Sequence, residues 1–326
     1  MRAVQFAAAI VMAAAMAVAS PGISPASAAD LPPVRYLLHV SPGGATDVMA
    51  RKLANELQKQ TGQTFVVENR PGGRGASQLS ELKRAAPDGS TIGAVTNTHI
   101  SAFNQTLRTY NVESFDWIAK LVYEPYVFVV RSDSPVKSMP DLATAVKDAP
   151  SKLVVAGFVR GSGSHVGWEM FMNAVHLPSG SINWVPYDSV GEGVTAVLGG
   201  HGAVTIAYVD LVKDYVIAGQ LRVIGVMSDK RLDELPTVPT LKEQGIEVAT
   251  AWEQWRGVIG PKGMPDAVKQ RLADAIEKAL KSPDLQDYIK GASLVYDFKG
   301  PAAFTAFAKE QNGVTVDWLK RLGIAR

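Results

Sequence analysis

At 326 residues the chain is long enough for two domains, and 47% apolar against 20% charged residues places it among folded globular proteins. Its formal net charge of +2 is spread over mixed acidic and basic residues, which argues against the clustered basic face of a nucleic-acid binder. It contains no cysteine, so thiol catalysis, disulfides, thiolate zinc sites and iron–sulfur clusters are excluded.

The chain opens with Arg2 and an almost wholly apolar, Ala-rich run from Ala3 to Ala19. Pro21, Gly22 and Pro25 interrupt it ahead of the small residues Ala26, Ser27, Ala28 and Ala29. That order of parts reads as a secretory signal peptide over residues 1–29, cleaved before Ala29 or Asp30. An uncleaved membrane anchor is the competing reading, but the run is short for a span and rich in Ala rather than Leu. The mature protein is expected to be soluble and periplasmic.

From Asp30 onward, strand-like and helix-like periods alternate. Val34 to Val40 is a short run of strand formers, broken by Ser41 to Asp47. Met49, Leu53 and Leu57 then recur every four residues, the period of an amphipathic helix, which Thr61 and Gly62 end. Phe65 to Asn69 predicts a second strand and Ser77 to Ala86 a helix, with the Gly-rich Arg70 to Gly75 as the turn between them. Ile92 to Thr96 predicts a third strand. This order predicts a mostly parallel sheet with helices on both faces. The pattern restarts at Tyr126 to Val130, followed by a helix through Val146, a strand over Leu153–Gly157 and a second Gly/Ser-rich loop, Gly161 to His165. Helical spacing of Val166, Met170 and Ala174 follows, then strands at Asn183–Tyr187, Ala203–Val209 and Leu221–Val226. Helices over Asp266–Lys281 and Ala302–Leu322 close the chain. The expectation is two α/β lobes: residues 30–130 with 252–326, and residues 131–251, the C-terminal helices packing on the first.

In open α/β sheets, ligands sit at the carboxyl ends of strands, where loops meet helix N-termini. Ser41–Asp47 and Gly161–His165 both follow an apolar strand and open a helix. Glycines allow backbone N–H groups to converge, hydroxyls add donors, and the helix start adds partial positive charge. Each loop could cradle a carboxylate or phosphate, or simply make a tight, capped turn. Asp47 has the same two readings, a cap for the first helical turn or a direct ligand contact. Trp168, Trp252 and Trp255 read as packing.

Ser41-Pro42-Gly43-Gly44-Ala45-Thr46-Asp47 with Ala50-Arg51 resembles the first ligand loop of Bug/TctC-type receptors of tripartite tricarboxylate transporters. Val67 to Gly72, Pro87 to Thr91, Gly163-Ser164-His165, Val185-Pro186-Tyr187, and Leu235 to Thr240 with Glu243 and Gly245 are similar to the same family. So are Trp255-Arg256-Gly257 and Pro261 to Pro265, and the order holds from about residue 34 to 270. The resemblance implies a type II periplasmic-binding-protein fold, two α/β lobes around a ligand cleft. Carried over by position, Pro42, Gly43, Gly44, Ala45, Thr46 and Asp47, with Ser162, Gly163, Ser164 and His165, would hold a ligand carboxylate. Thr96 and Asn97 would line the first lobe, and Tyr187 and Asp210 the second. Two positions depart from the family pattern: Asp188-Ser189 follow Tyr187 where a glycine is usual, and Arg74 replaces a small residue.

The function expected on this basis is capture of a small carboxylate (dicarboxylate, aromatic carboxylate or acidic amino acid) for membrane permease subunits, by a monomer without cofactor, metal or nucleic acid. A sensor on the same fold would look alike in sequence. A hydrolase is the third reading, but Ser164 and His165 are adjacent at a helix start and no G-x-S-x-G elbow exists. The five histidines show no H-E-x-x-H spacing, and no P-loop or G-x-G-x-x-G is present.

Overall fold

Val34–Leu38 (β1) buries four of its five side chains, as befits a strand covered on both faces. The computed structural model describes residues 32–43, 45–150, 152–187, 189–248 and 252–324, so the proposed signal peptide and Gly44 lie outside the described residues. Ala45–Thr61 (α1) lays Met49, Ala50, Leu53, Ala54 and Leu57 against the sheet and ends at Gly62, whose φ of 71° suits glycine. Phe65–Asn69 (β2) and Thr91–Thr96 (β3) flank β1 in parallel, with Ala76–Arg84 (α2) between them. These units form as their local periodicity predicts.

The next two elements have no counterpart among the sequence expectations. Thr96 caps Asn97–Phe103 (α3): its hydroxyl accepts from Thr98 N, and His99 Nδ1 accepts from Thr96 N at 3.2 Å. Phe115–Glu124 (β4) is a ten-residue buried strand, and after Pro125 the chain enters a second sheet as Tyr126–Arg131 (β5). That sheet is completed by Val154–Phe158 (β6), Asn183–Tyr187 (β7), Val204–Ala207 (β8) and Leu221–Met227 (β9). Its helices are Met139–Asp148 (α4), Gly163–Ala174 (α5), Val190–Leu198 (α6) and Val209–Ile217 (α7). The chain then returns to the first sheet through Gln254–Pro261 (β10) and finishes with Asp266–Leu280 (α8), Pro283–Gly291 (α9), Val295–Lys299 (β11) and Pro301–Arg321 (α10).

The strand orders are β11-β4-β10-β3-β1-β2 and β7-β6-β8-β5-β9. The first sheet is not mostly parallel: only the pairings of β1 with β2 and β3 are parallel, whereas β10 is antiparallel to β3 and β4, and β11 to β4. The reason is connectivity. Strand β10 arrives from the other sheet instead of through a β-α-β crossover, so nothing obliges it to run parallel. Strand β5 does the mirror-image job, lying antiparallel between β8 and β9. Each sheet thus receives the strand at the lobe junction in its interior.

Apolar clusters cover both faces of each sheet. Trp117, Trp255 and Phe304 pack on one face of the first, and Ile118, Val258 and Ile276 on the other. Trp168 is fully buried in the second lobe against Phe128 and Phe171. Helix α10 departs from the expectation that the C-terminal helices serve the first lobe alone. Phe304 and Ala308 pack on the first sheet, but Val314, Trp318 and Leu322 pack on the second lobe's core, so the helix straps both.

Candidate functional site

The two glycine loops lie at the carboxyl ends of β1 and β6, in different sheets. In the first, Gly43 adopts φ 87°, and Asp47 folds the loop back on α1. Its carboxylate accepts from Gly43 N at 3.0 Å, Arg51 Nε at 2.9 Å and Asn69 Nδ2 at 2.9 Å. Arg51, helped by Gly43 and Asn69, holds the Asp47 carboxyl down at about 2. Asn69 Nδ2 also donates to Val40 O at 2.9 Å, tying the loop to β2. The Asp47 oxygens are thus engaged by the protein itself, bonding the loop ahead of α1 and two side chains. Pro42, Gly43 and Ala45 remain exposed, and Thr46 is half-buried.

The second loop is buried. Ser162 caps α5 by accepting from His165 N, and its hydroxyl lies 3.2 Å from that of Ser164. Gly161 N donates to His165 Nδ1 at 3.0 Å, which fixes the neutral tautomer with its proton on Nε2. Burial, with Arg160 nearby, lowers the His165 pKa to about 4. The acceptor nitrogen of His165 is therefore committed to the backbone, and no Ser–His nucleophile pair exists at this loop.

First-lobe residues grip this loop. Ser101 Oγ donates to Gly161 O at 2.5 Å, and Gln105 Nε2 donates to the same oxygen at 3.2 Å. Asn97 Nδ2 donates to Glu253 O at 3.0 Å and reaches the Tyr126 hydroxyl at 3.3 Å. Trp252 Nε1 donates to Gly163 O at 2.7 Å. A Cβ on Gly163 would stand 2.0 Å from the Tyr126 hydroxyl and 2.7 Å from Asn97 Nδ2. Gly163→Ala should accordingly cost about 1–3 kcal/mol in urea unfolding and displace the loop, and Tyr126→Phe in the same chain should recover part of that stability. Equal stabilities of the single and double variants would remove Tyr126 from the explanation.

The first loop is tied into its own sheet through residues that sequence reading passed over. Arg256, on β10 opposite Thr96, points its Nε to Thr46 Oγ1 at 3.4 Å and its Nη2 to Glu124 Oε1 at 2.6 Å. Both partners of that ion pair are buried. Burial pushes the Glu124 carboxyl up, as does Asp210, while Arg256 opposes them. Burial likewise raises Asp210, in the first turn of α7. The Tyr126 and Tyr208 rings pack at a tilt, centroids 5.5 Å apart, with their hydroxyls hydrogen-bonded. His39, just past β1, is held neutral by burial and by Arg256, its pKa lowered to about 4.

The structure thus brings Thr46, Thr96, Asn97, Ser162, Gly163, Ser164, His165 and Asp210 to one junction between the lobes. Tyr187, at the end of edge strand β7, packs against the apolar cluster under α6 and stands apart from this network among the described residues. The signal for Arg256 and Glu124 was present: each is a charge set among strand-forming residues.

The receptor model of the tripartite tricarboxylate transporter family, TctC, matches residues 49–311. The chain is 30% identical to the protein BugT of Bordetella pertussis over 95% of this chain and 94% of that one. A TctC solute-binding protein from Polaromonas superposes with a TM-score of 0.76 at 26% identity, covering 89% of this chain and 98% of that one. An R. palustris protein solved with adipate superposes at 0.77 with 25% identity over 90% and 98%. The two lobes and these matches agree: the chain belongs to the TctC/Bug family of solute-binding receptors, which are periplasmic and are not enzymes.

Proposed function

We propose that this protein captures a small organic carboxylate between its lobes and hands it, as a monomer, to membrane permease subunits of a tripartite transporter. Residues 1–29 would be removed on export, cleaved before Ala29 or Asp30, leaving lobes of residues 30–130 with 252–326 and of residues 131–251. The single observation that carries the reading is the meeting of the lobes at the second glycine loop, where Ser101 and Gln105 bond to Gly161 O and Trp252 to Gly163 O, while Arg256 on the interior strand β10 holds Thr46 of the first loop. Backbone N–H groups at two helix starts suit a carboxylate and do not need a Lys or Arg at the proximal end. Pro42, Gly43, Gly44, Ala45 and Thr46 would meet that carboxylate from the first lobe, with Thr96 and Asn97 beside them. Ser162, Gly163, Ser164 and His165 would meet it from the second, Asp47 serving to hold the first loop in shape. Tyr187 and Asp210 would complete the second-lobe wall. Lobe closure around the ligand is the motion such a junction permits. The adipate bound by the R. palustris neighbour supports an organic acid as cargo.

A thermal-shift screen of small carboxylates tests this directly. A ligand present at a hundredfold over its dissociation constant should stabilise the protein by about 2.7 kcal/mol. Thr46→Leu should abolish that shift while leaving the ligand-free melting temperature near that of the parent. If no organic acid stabilises the parent protein, the reading fails.

A further inference from the structure

Five buried polar atoms without a hydrogen-bond partner gather where the lobes meet: Arg256 Nη1, Glu124 Oε2, Asp210 Oδ1, Asn97 Oδ1 and His39 Nδ1. They come from β10, β4, α7, the start of α3 and the residue just past β1, so both lobes contribute. Arg256, Glu124 and Asn97 are each 5% exposed or less. Native proteins leave few such atoms, because an unmet buried polar group loses its hydration for nothing in return. Five at one junction mark a surface that completes its hydrogen bonds with something held there.

The composition of this set is one-sided. Glu124 Oε2, Asp210 Oδ1 and Asn97 Oδ1 can only accept, once the Asn97 amide is oriented by donating to Glu253 O. Arg256 Nη1 is the sole unambiguous donor. Charge leans the same way: two carboxylates face one guanidinium, and that guanidinium is already paired with Glu124 at 2.6 Å. The far carboxylate of a plain dicarboxylate would meet two like charges and could bond only to Arg256. An ammonium group finds three acceptors and a complementary field.

We infer that the wall formed by Arg256, Glu124, Asp210 and Asn97 selects a carboxylate that also carries an ammonium group, an amino acid, over the dicarboxylate of the same length. The inference rests on the receptor reading above and names its cargo. Specificity of this kind works by exclusion as much as attraction, since a ligand without the amine leaves acceptors buried and unmet. Arg256 would then act as the positioning residue that holds Glu124 and Thr46 in register, and Asp210 as the contact supplied when the second lobe closes.

Isothermal titration of the mature chain with matched pairs separates the alternatives: glutamate against glutarate, 2-aminoadipate against adipate, 4-aminobutanoate against butanoate. The amine-bearing member of at least one pair should bind ten-fold or more tightly than its partner. Asp210→Asn should weaken that ligand by about 10- to 100-fold and remove most of its advantage over the amine-free partner. Glu124→Gln should act in the same direction, but it breaks a buried ion pair. The half-buried and unpaired Asp210 keeps the test valid if that variant does not fold. Carboxylate binding without preference for the amine, or a preference that survives Asp210→Asn, overturns this inference and leaves the receptor standing. Absence of binding by every acid overturns both.

Discussion

Replacing Lys120 with methionine should destabilise the protein by about 3–5 kcal/mol, the cost of leaving a buried carboxylate without its counter-charge. Lys120 is fully buried on β4, opposite Gly257 of β10 and Lys299 of β11. Its ammonium bonds to Glu253 and, at 2.5 Å, to Asp297, and lies 4.2 Å from the Phe307 ring centre. Asp297 would keep Lys299 at 2.5 Å, but among the described residues Glu253 has no second cation bonded to it. Burial already raises the Glu253 carboxyl, and loss of Lys120, which opposes that shift, would raise it further. Glu253 leads into β10 on the return to the first lobe, and its carbonyl oxygen holds Asn97. The loss should therefore reach beyond stability into ligand affinity. Urea unfolding measures the first and titration the second; a loss below 1 kcal/mol would show that the pair is not structurally required.

Acidification from pH 7 to 4.5 should weaken the fold, with His165 alone accounting for about 2–3 kcal/mol. Its folded pKa is lowered to about 4 by burial and Arg160, against about 6.5 for an unfolded histidine. Between those values the unfolded chain binds the proton and the folded one does not. Stability is thus complete above pH 6.5 and is lost as pH falls toward 4. Glu169 Oε1, 3.8 Å from His165 Nε2, would favour a charged imidazole if ionised, but burial pushes that carboxyl up as well. His39, at about 4, and His99, lowered well below the ordinary range, add losses of the same sign. Glu124, Asp210 and Glu253 act oppositely: with raised pKa values they take up protons more readily when folded, so acid stabilises them. The difference between parent and His165→Gln isolates the histidine. The variant should lose less stability between pH 7 and 4.5 than the parent, and parallel pH profiles would refute the assignment.

The sequence alone determined the units whose signals are local. Strands β2 and β7 fall at the residues their apolar runs mark, and α1 begins and ends where Ser41–Asp47 and Gly62 punctuate the chain. The two glycine loops and their helix starts were legible for the same reason, since turn chemistry and helical period are read within a dozen residues. Strands β4 and β10 were not, because a short apolar run announces burial without saying what it pairs with, and their partners lie 130 or more residues away. Arg256 and Glu124 carry no meaning in isolation. Only the return of β10 between β3 and β4 sets the guanidinium beside Thr46, Thr96 and Glu124, and only the approach of α7 brings Asp210 within their field. Backbone conformation responds to neighbours in sequence, whereas the charge and hydrogen-bonding balance of a cleft is a sum over groups that meet only when two sheets close on each other.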